Sequence, residues 1–139
     1  MDIIRQFKGE HIEIKRMLSE IQSSIEDKRI VNMTLAGDFR ALKDFLLVHV
    51  DLENKLIYSK LKKSEFEELK KLGDMFSVEM IRIAKGLFSF FEKYKDIDIS
   101  KLRKNMAFNK AFADLVNNVW KRIEIEENML FPSYSRYYA

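Results

Sequence analysis

The stretch HVDLENKLIYSKL, His49 to Leu61, decides how this chain is read. Its apolar residues recur at helical spacing, and they continue a stripe that begins with Leu35, Phe39, Leu42 and Leu46. His49 and Glu53 fall on that same stripe, where a helix turns toward a core. An imidazole and a carboxylate are costly in such a place unless they are paired or bind a metal. A second stretch, RIEIEENMLFP from Arg122 to Pro132, puts Arg122 and Glu126 on its apolar stripe in the same way.

Outward from these two stretches the chain carries four apolar stripes in all. Asp2 to Asp27 carries Ile4, Phe7, His11, Ile14, Leu18, Ile21 and Ile25, a seam spaced by threes and fours. Leu35 to Leu61 carries the stripe already described and ends it on Leu56. A capping box at Ser64 to Glu67 opens a third segment that runs to about Lys95. Its stripe is Leu69, Leu72, Phe76, Met80, Ile83, Leu87, Phe90 and Tyr94, with Gly73 and Gly86 as places for a kink. The fourth segment begins after Ser100, carries Phe108, Phe112, Leu115, Val119, Arg122, Glu126 and Met129, and ends at Pro132.

The links, about Lys28 to Thr34, Lys62 to Lys63 and Asp96 to Ile99, are short. Short links between long amphipathic helices predict an all-α, up-down-up-down four-helix bundle. The aromatic tail SYSRYYA is expected to pack back on that bundle.

Composition agrees with this reading. The chain has 139 residues, 47% of them hydrophobic, which suits a single domain over residues 1–139. Only four glycines and one proline favour long helices over strands and turns. With no cysteine, disulfides, thiolate metal sites and thiol nucleophiles are excluded. The net charge of +3 is spread along the chain, unlike the focused basic face of a nucleic-acid binder. The N-terminal MDIIRQFKGEHIEIKR lacks the continuous apolar run of a signal peptide, and FLLV is far too short to span a bilayer. A cytoplasmic protein without membrane or nucleic-acid partners is expected. No phosphate loop or nucleophile-and-base motif is present, so no enzyme activity is expected.

His11, His49, Glu53, Arg122 and Glu126 thus interrupt three otherwise apolar seams. In an antiparallel bundle they can share one layer towards one end, level with Phe76 and Met80 of the third helix. A lone histidine on a seam is more often a hydrogen-bonded core residue than a ligand. Five polar residues on three seams predict a common site. Imidazoles and carboxylates projecting inward from bundle helices are how such folds build iron or manganese centres.

With GEHIEIKRML, HVDLENKLIYSKL and RIEIEENMLFPSY, the chain resembles the hemerythrin family, including its bacterial cation-binding HHE branch. The last stretch is similar to the family's terminal motif of His, two acidic residues and Leu-Phe-Pro, with Arg122 in place of the His. The resemblance implies a hemerythrin-like bundle around two irons bridged by carboxylates. By position, His11 and His49 match the ligands of one iron, and Glu53 and Glu126 match the bridges. The three histidines of the other iron are missing. Phe76 and Met80 stand at the helix-three positions and Arg122 at the helix-four position.

Two chemistries stay open at this point. In one, His11, His49, Glu53 and Glu126 hold a single iron or manganese ion, zinc also being compatible, with an open position for oxygen, peroxide or nitric oxide. In the other no metal binds, and Arg122 bridges Glu53 and Glu126, bidentate to at least one of them. Di-iron oxygen carriage is not expected of a chain that holds at most one metal. RIEIEENML also resembles the last helix of bacterial anti-sigma regulators, which implies a metal-free interaction module with a sigma factor as partner.

Overall fold

Amphipathic segments with so few breakers become long helices. The computed structural model describes residues 2–26, 35–95 and 105–138, and none of these residues is in a strand. The helices are α1 (Ile3–Glu26), α2 (Leu35–Glu53), α3 (Ser59–Lys62), α4 (Glu67–Tyr94), α5 (Met106–Ile125) and α6 (Phe131–Tyr138). A π-helical turn, Asn54–Tyr58, joins α2 to α3, and another, Glu126–Leu130, joins α5 to α6, so the described residues form four rods. In the bundle, α1 packs on α2 and α5, and α4 packs on the same two helices. The links expected at Lys28 to Thr34 and Asp96 to Ile99, and the start of the fourth segment after Ser100, lie outside the described residues. No described helix is long and apolar enough to cross a membrane.

Local chemistry sets the helix starts. The Asp2 carboxylate accepts from the Ile4 N–H at 3.0 Å, and the Asn105 side chain accepts from the Phe108 N–H at 3.1 Å. The capping box expected at Ser64 does not form. Ser64 Oγ instead accepts from the Phe66 N–H at 3.1 Å and pairs with the Tyr138 hydroxyl at 2.8 Å, which ties the C-terminal helix to the start of α4. The aromatic tail therefore packs back, with Tyr137 and Tyr138 against Phe66.

The core is two apolar clusters. One is built from residues such as Leu18, Leu42, Phe91 and Phe112, and the other from Phe7, Ile57, Leu61, Phe131 and Tyr134. Between them, in three of the four rods, lie the polar residues of the stripes, and α4 faces them with Phe76 and Met80. The π turns shift the stripes where the helical period alone misplaces them. Each turn adds a residue, which rotates everything after it by about a quarter-turn of helix. Leu56 and Met129, expected inside, are exposed, while Ile57, Tyr58, Leu130 and Phe131 are buried instead. On α4, Phe91 is fully buried and Phe90 only partly.

Pro132 does not end the fourth rod. The Phe131 N–H bonds back to the Glu126 carbonyl, five residues away, and Pro132 sits directly behind this widened turn. An α-helix there would require the N–H that proline lacks, and the π turn already breaks that ladder. Gly73 does not interrupt α4, which is continuous through it. It marks a close helix contact: a Cβ at Gly73 would meet Leu61 Cβ and the Lys62 backbone nitrogen at 2.9 Å. Gly73→Ala is therefore expected to lower unfolding free energy by about 1–3 kcal/mol. Gly9, inside α1 with nothing within 4 Å of an added Cβ, provides the contrast. Gly9→Ala should raise stability by roughly 0.5–1 kcal/mol. Urea denaturation of both variants checks the pair of signs.

Candidate metal centre

His11 comes from the middle of α1, His49 and Glu53 from the last turn of α2, Arg122 from the last turn of α5 and Glu126 from the π turn that follows. All five are at least 96% buried by residue area. One ligand atom from each of His11, His49, Glu53 and Glu126 lies within 4.8 Å of the other three, a grouping that could hold a metal ion.

Carboxylates outside this group orient both imidazoles. His11 Nδ1 lies 2.7 Å from Glu127 Oε2, and His49 Nδ1 lies 2.7 Å from Glu10 Oε1. A carboxylate accepts, so each Nδ1 carries a proton, and Nε2 is the ring nitrogen that each histidine turns inward. His49 Nε2 then faces Glu53 Oε1 at 2.8 Å, and His11 Nε2 faces Glu126 Oε1 at 3.2 Å and Glu53 Oε2 at 3.9 Å. His11 Nε2 and Glu53 Oε2 are buried with no hydrogen-bond partner among the described residues. A deprotonated Nε2 facing a carboxylate oxygen is repelled unless a proton or a cation lies between them. Aromatic rings fix the imidazole planes: Phe131 stacks on His11 with centroids 5.5 Å apart, and Phe7 meets His49 edge-on at 5.5 Å.

Arg122 does not bridge the two carboxylates as expected. Its Nη2 donates to the Tyr58 hydroxyl at 2.5 Å and to the Phe76 carbonyl at 3.1 Å. Its Nε stays 3.9 Å from Glu126 Oε2, beyond hydrogen-bond reach. Tyr58 intervenes and donates to Glu126 Oε2 at 2.7 Å. The guanidinium lies over the rings of Phe76 and Tyr58, at 5.1 and 5.5 Å from their centroids. The reason is reach and phase. The π turn after Glu53 swings Tyr58 inward, and its hydroxyl takes the position a bidentate arginine would need.

Sequence reasoning missed three residues of the site: Glu10, Glu127 and Tyr58. Glu10 and Glu127 are only partly buried, so the apolar stripe skips them, but each is the chain neighbour of a buried site residue. That adjacency was the available signal. For Tyr58 there was none, because a regular helical period does not place it inside.

A family model, the hemerythrin HHE cation-binding domain, matches residues 2–134. The chain belongs to the hemerythrin HHE family. Neither the curated proteins nor the solved structures compared with it gave a match. Within this HHE domain the half of the centre built from His11 and His49 has inward-facing nitrogens. The opposite half is filled by Arg122, Phe76 and Met80, none of which offers a hard anionic or imidazole ligand.

Burial works to lower the His11 pKa, but the adjoining Glu126 and the charge of Glu53 outweigh it and raise the pKa above the ordinary 6.5. Burial and the neighbouring Glu126 carboxylate push Glu53 well above 4.5. Burial also works to raise Glu126, yet contacts with His11 and with the Tyr58 hydroxyl help to hold it low. Glu53 is thus the carboxyl that keeps a proton in the metal-free site.

The stability that His11 and Glu53 contribute is complete below 6.5 and 4.5 respectively, and is lost as pH rises through their raised folded values. Glu126 contributes in the opposite sense, above 4.5 and lost as pH falls through its lowered value. Metal-free protein should therefore lose stability as pH rises above 4.5 and on through 6.5, and Glu53→Gln should flatten that loss to the His11 share. Urea midpoints across this range check it; a rise in wild-type stability would contradict the assignment.

Proposed function

We propose that this HHE domain holds one iron or manganese ion through His11, His49, Glu53 and Glu126, and that it senses oxygen, peroxide or nitric oxide at an open position beside that ion. The observation that carries the reading is the convergence of four ligand atoms within 4.8 Å of one another, with His11 Nε2 and Glu53 Oε2 buried and without a hydrogen-bond partner among the described residues. Two imidazole nitrogens and two carboxylates suit divalent iron or manganese. Each histidine is backed by a carboxylate, the arrangement that fixes tautomer and ring orientation at metal centres. A cavity of about 20 Å³ is lined by these four residues together with Arg122 and Met80, room for about one water-sized ligand. The metal would supply Lewis acidity and, if it is iron, a one-electron couple. The chain's own residues orient the ligands, exclude bulk water and place Arg122 beside the open side. The reading is of a binding domain and not of an enzyme.

The metal-free alternative, an interaction module acting on a sigma factor, needed Arg122 to neutralise Glu53 and Glu126. Tyr58 and the Phe76 carbonyl engage the guanidinium instead, which favours the metal reading.

Protein purified from iron- or manganese-supplemented culture is expected to carry close to one equivalent of metal. Elemental analysis finding less than about a tenth of an equivalent, together with capture of a sigma factor, would reverse the choice. Arg122→His should leave the stoichiometry at one, without an oxo-bridged absorption band, because Phe76 and Met80 still occupy the other half. Glu10→Gln keeps every inward atom but removes the charge behind His49, and should weaken metal binding by about 10–100-fold in a competitive chelator titration.

A further inference from the structure

Arg122 is the one charged group lining the small cavity that the metal reading leaves without a task. It is 4% exposed, and its Nη2 is fully engaged with Tyr58 and Phe76. Its Nε and Nη1 are buried without a hydrogen-bond partner among the described residues. Glu79 stands 3.5 Å from Nη1 but is itself 40% exposed in its side chain, so much of its charge is spent on water. A buried guanidinium with two unused donor groups is costly to keep unless something accepts from them.

The position of these donors points to what that is. Arg122 lines the 20 Å³ cavity shared with His11, His49, Glu53 and Glu126, and it also lines a groove of about 630 Å³ bounded by residues of α4 and α5. Ile83, Leu87 and Val119 line both spaces as well, so the two share one apolar wall. Gly86 opens the groove, since it places no side chain there and a Cβ would have nothing within 4 Å. Arg82 and Lys121 join Arg122 against Glu79 and Asp114, which leaves the groove lining net positive.

We propose that Arg122 and this groove form the binding site of a small inorganic monoanion, which enters between α4 and α5 and is held by the free Nε and Nη1 donors next to the metal ligands. The inference rests on the metal reading above and narrows its ligand to an anion, such as hydroperoxide or an oxyanion of nitrogen, over neutral oxygen or nitric oxide. Charge-assisted hydrogen bonds from a desolvated guanidinium reward a negative ligand far more than a neutral one. The 20 Å³ cavity takes about one water-sized group, so the rest of the anion lies toward the groove.

The test uses the full chain loaded with Fe(II) under anaerobic conditions, with metal content measured first. Azide is the anionic probe and nitric oxide the neutral one, both followed by equilibrium titration, together with the ¹⁵N resonance of Arg122 Nε. Azide should shift that resonance. Arg122→Gln should weaken azide by about 10–100-fold, and by at least about tenfold more than it weakens nitric oxide. Should Arg122→Gln fold poorly, Glu79→Gln carries the test from the half-exposed side: removing the competing charge should tighten azide by about 3–10-fold. Gly86→Leu should slow azide association by narrowing the groove, with metal content unchanged. Displacement of azide by nitrite, and by hydrogen peroxide on Mn(II)-loaded protein, tells an oxyanion from a hydroperoxide. One equivalent of metal with azide affinity indifferent to both Arg122→Gln and Glu79→Gln would overturn this inference alone. Failure of the wild-type chain to take up metal would overturn it together with the metal reading.

Discussion

Lone pairs from two imidazoles and two carboxylates are aimed at one another in the middle of a helical bundle, and much of the structure follows from that constraint. Such an arrangement is unstable unless a cation or shared protons fill it. The bundle is built to enforce it all the same. Glu10 and Glu127 hold the Nδ1 protons outward, and Phe7 and Phe131 fix the ring planes. Apolar clusters close off the layer above and below, so bulk water is kept from the site. Without metal, the proton kept by Glu53 and the raised affinity of His11 for a proton are the available relief.

The two π turns deliver this layer. Each follows or begins at a buried carboxylate, Glu53 in one case and Glu126 in the other. A uniform α-helix carrying these carboxylates inward would continue with Leu56 and Met129 on the core side. The extra residue turns Tyr58 and Phe131 inward in their place. Tyr58 then couples the two halves of the site: it donates to Glu126 and accepts from Arg122. The half without metal ligands is thus a cation clamped by aromatic rings, a hydroxyl and a carbonyl, with its Nε and Nη1 lacking a hydrogen-bond partner among the described residues.

Much of the layer was legible before any coordinates. The threes-and-fours spacing of Ile4, Phe7, His11 and Ile14 allows only a helix with His11 inside, and the same logic holds for His49, Glu53, Arg122 and Glu126. Periodicity is a local property, and it stays reliable until the helix changes its period. Leu56 and Met129 were misplaced for that reason, and Pro132 was read as a stop because proline normally ends an α-helical ladder. Glu10 and Glu127 escaped because a side chain at the edge of a stripe has no periodic signature, although each has a job that only its partner in another helix reveals.

By itself the sequence determined the helical bundle, the hemerythrin HHE likeness and which five polar residues face inward, because burial must match helical phase along each segment. The partner of each polar group was decided only by tertiary structure. Arg122 turns to Tyr58 and Phe76 and away from the carboxylates, and Gly73 serves a close contact with Leu61 and Lys62. Those outcomes depend on distances between helices far apart in the chain and on two π turns that change the phase. No local pattern encodes them.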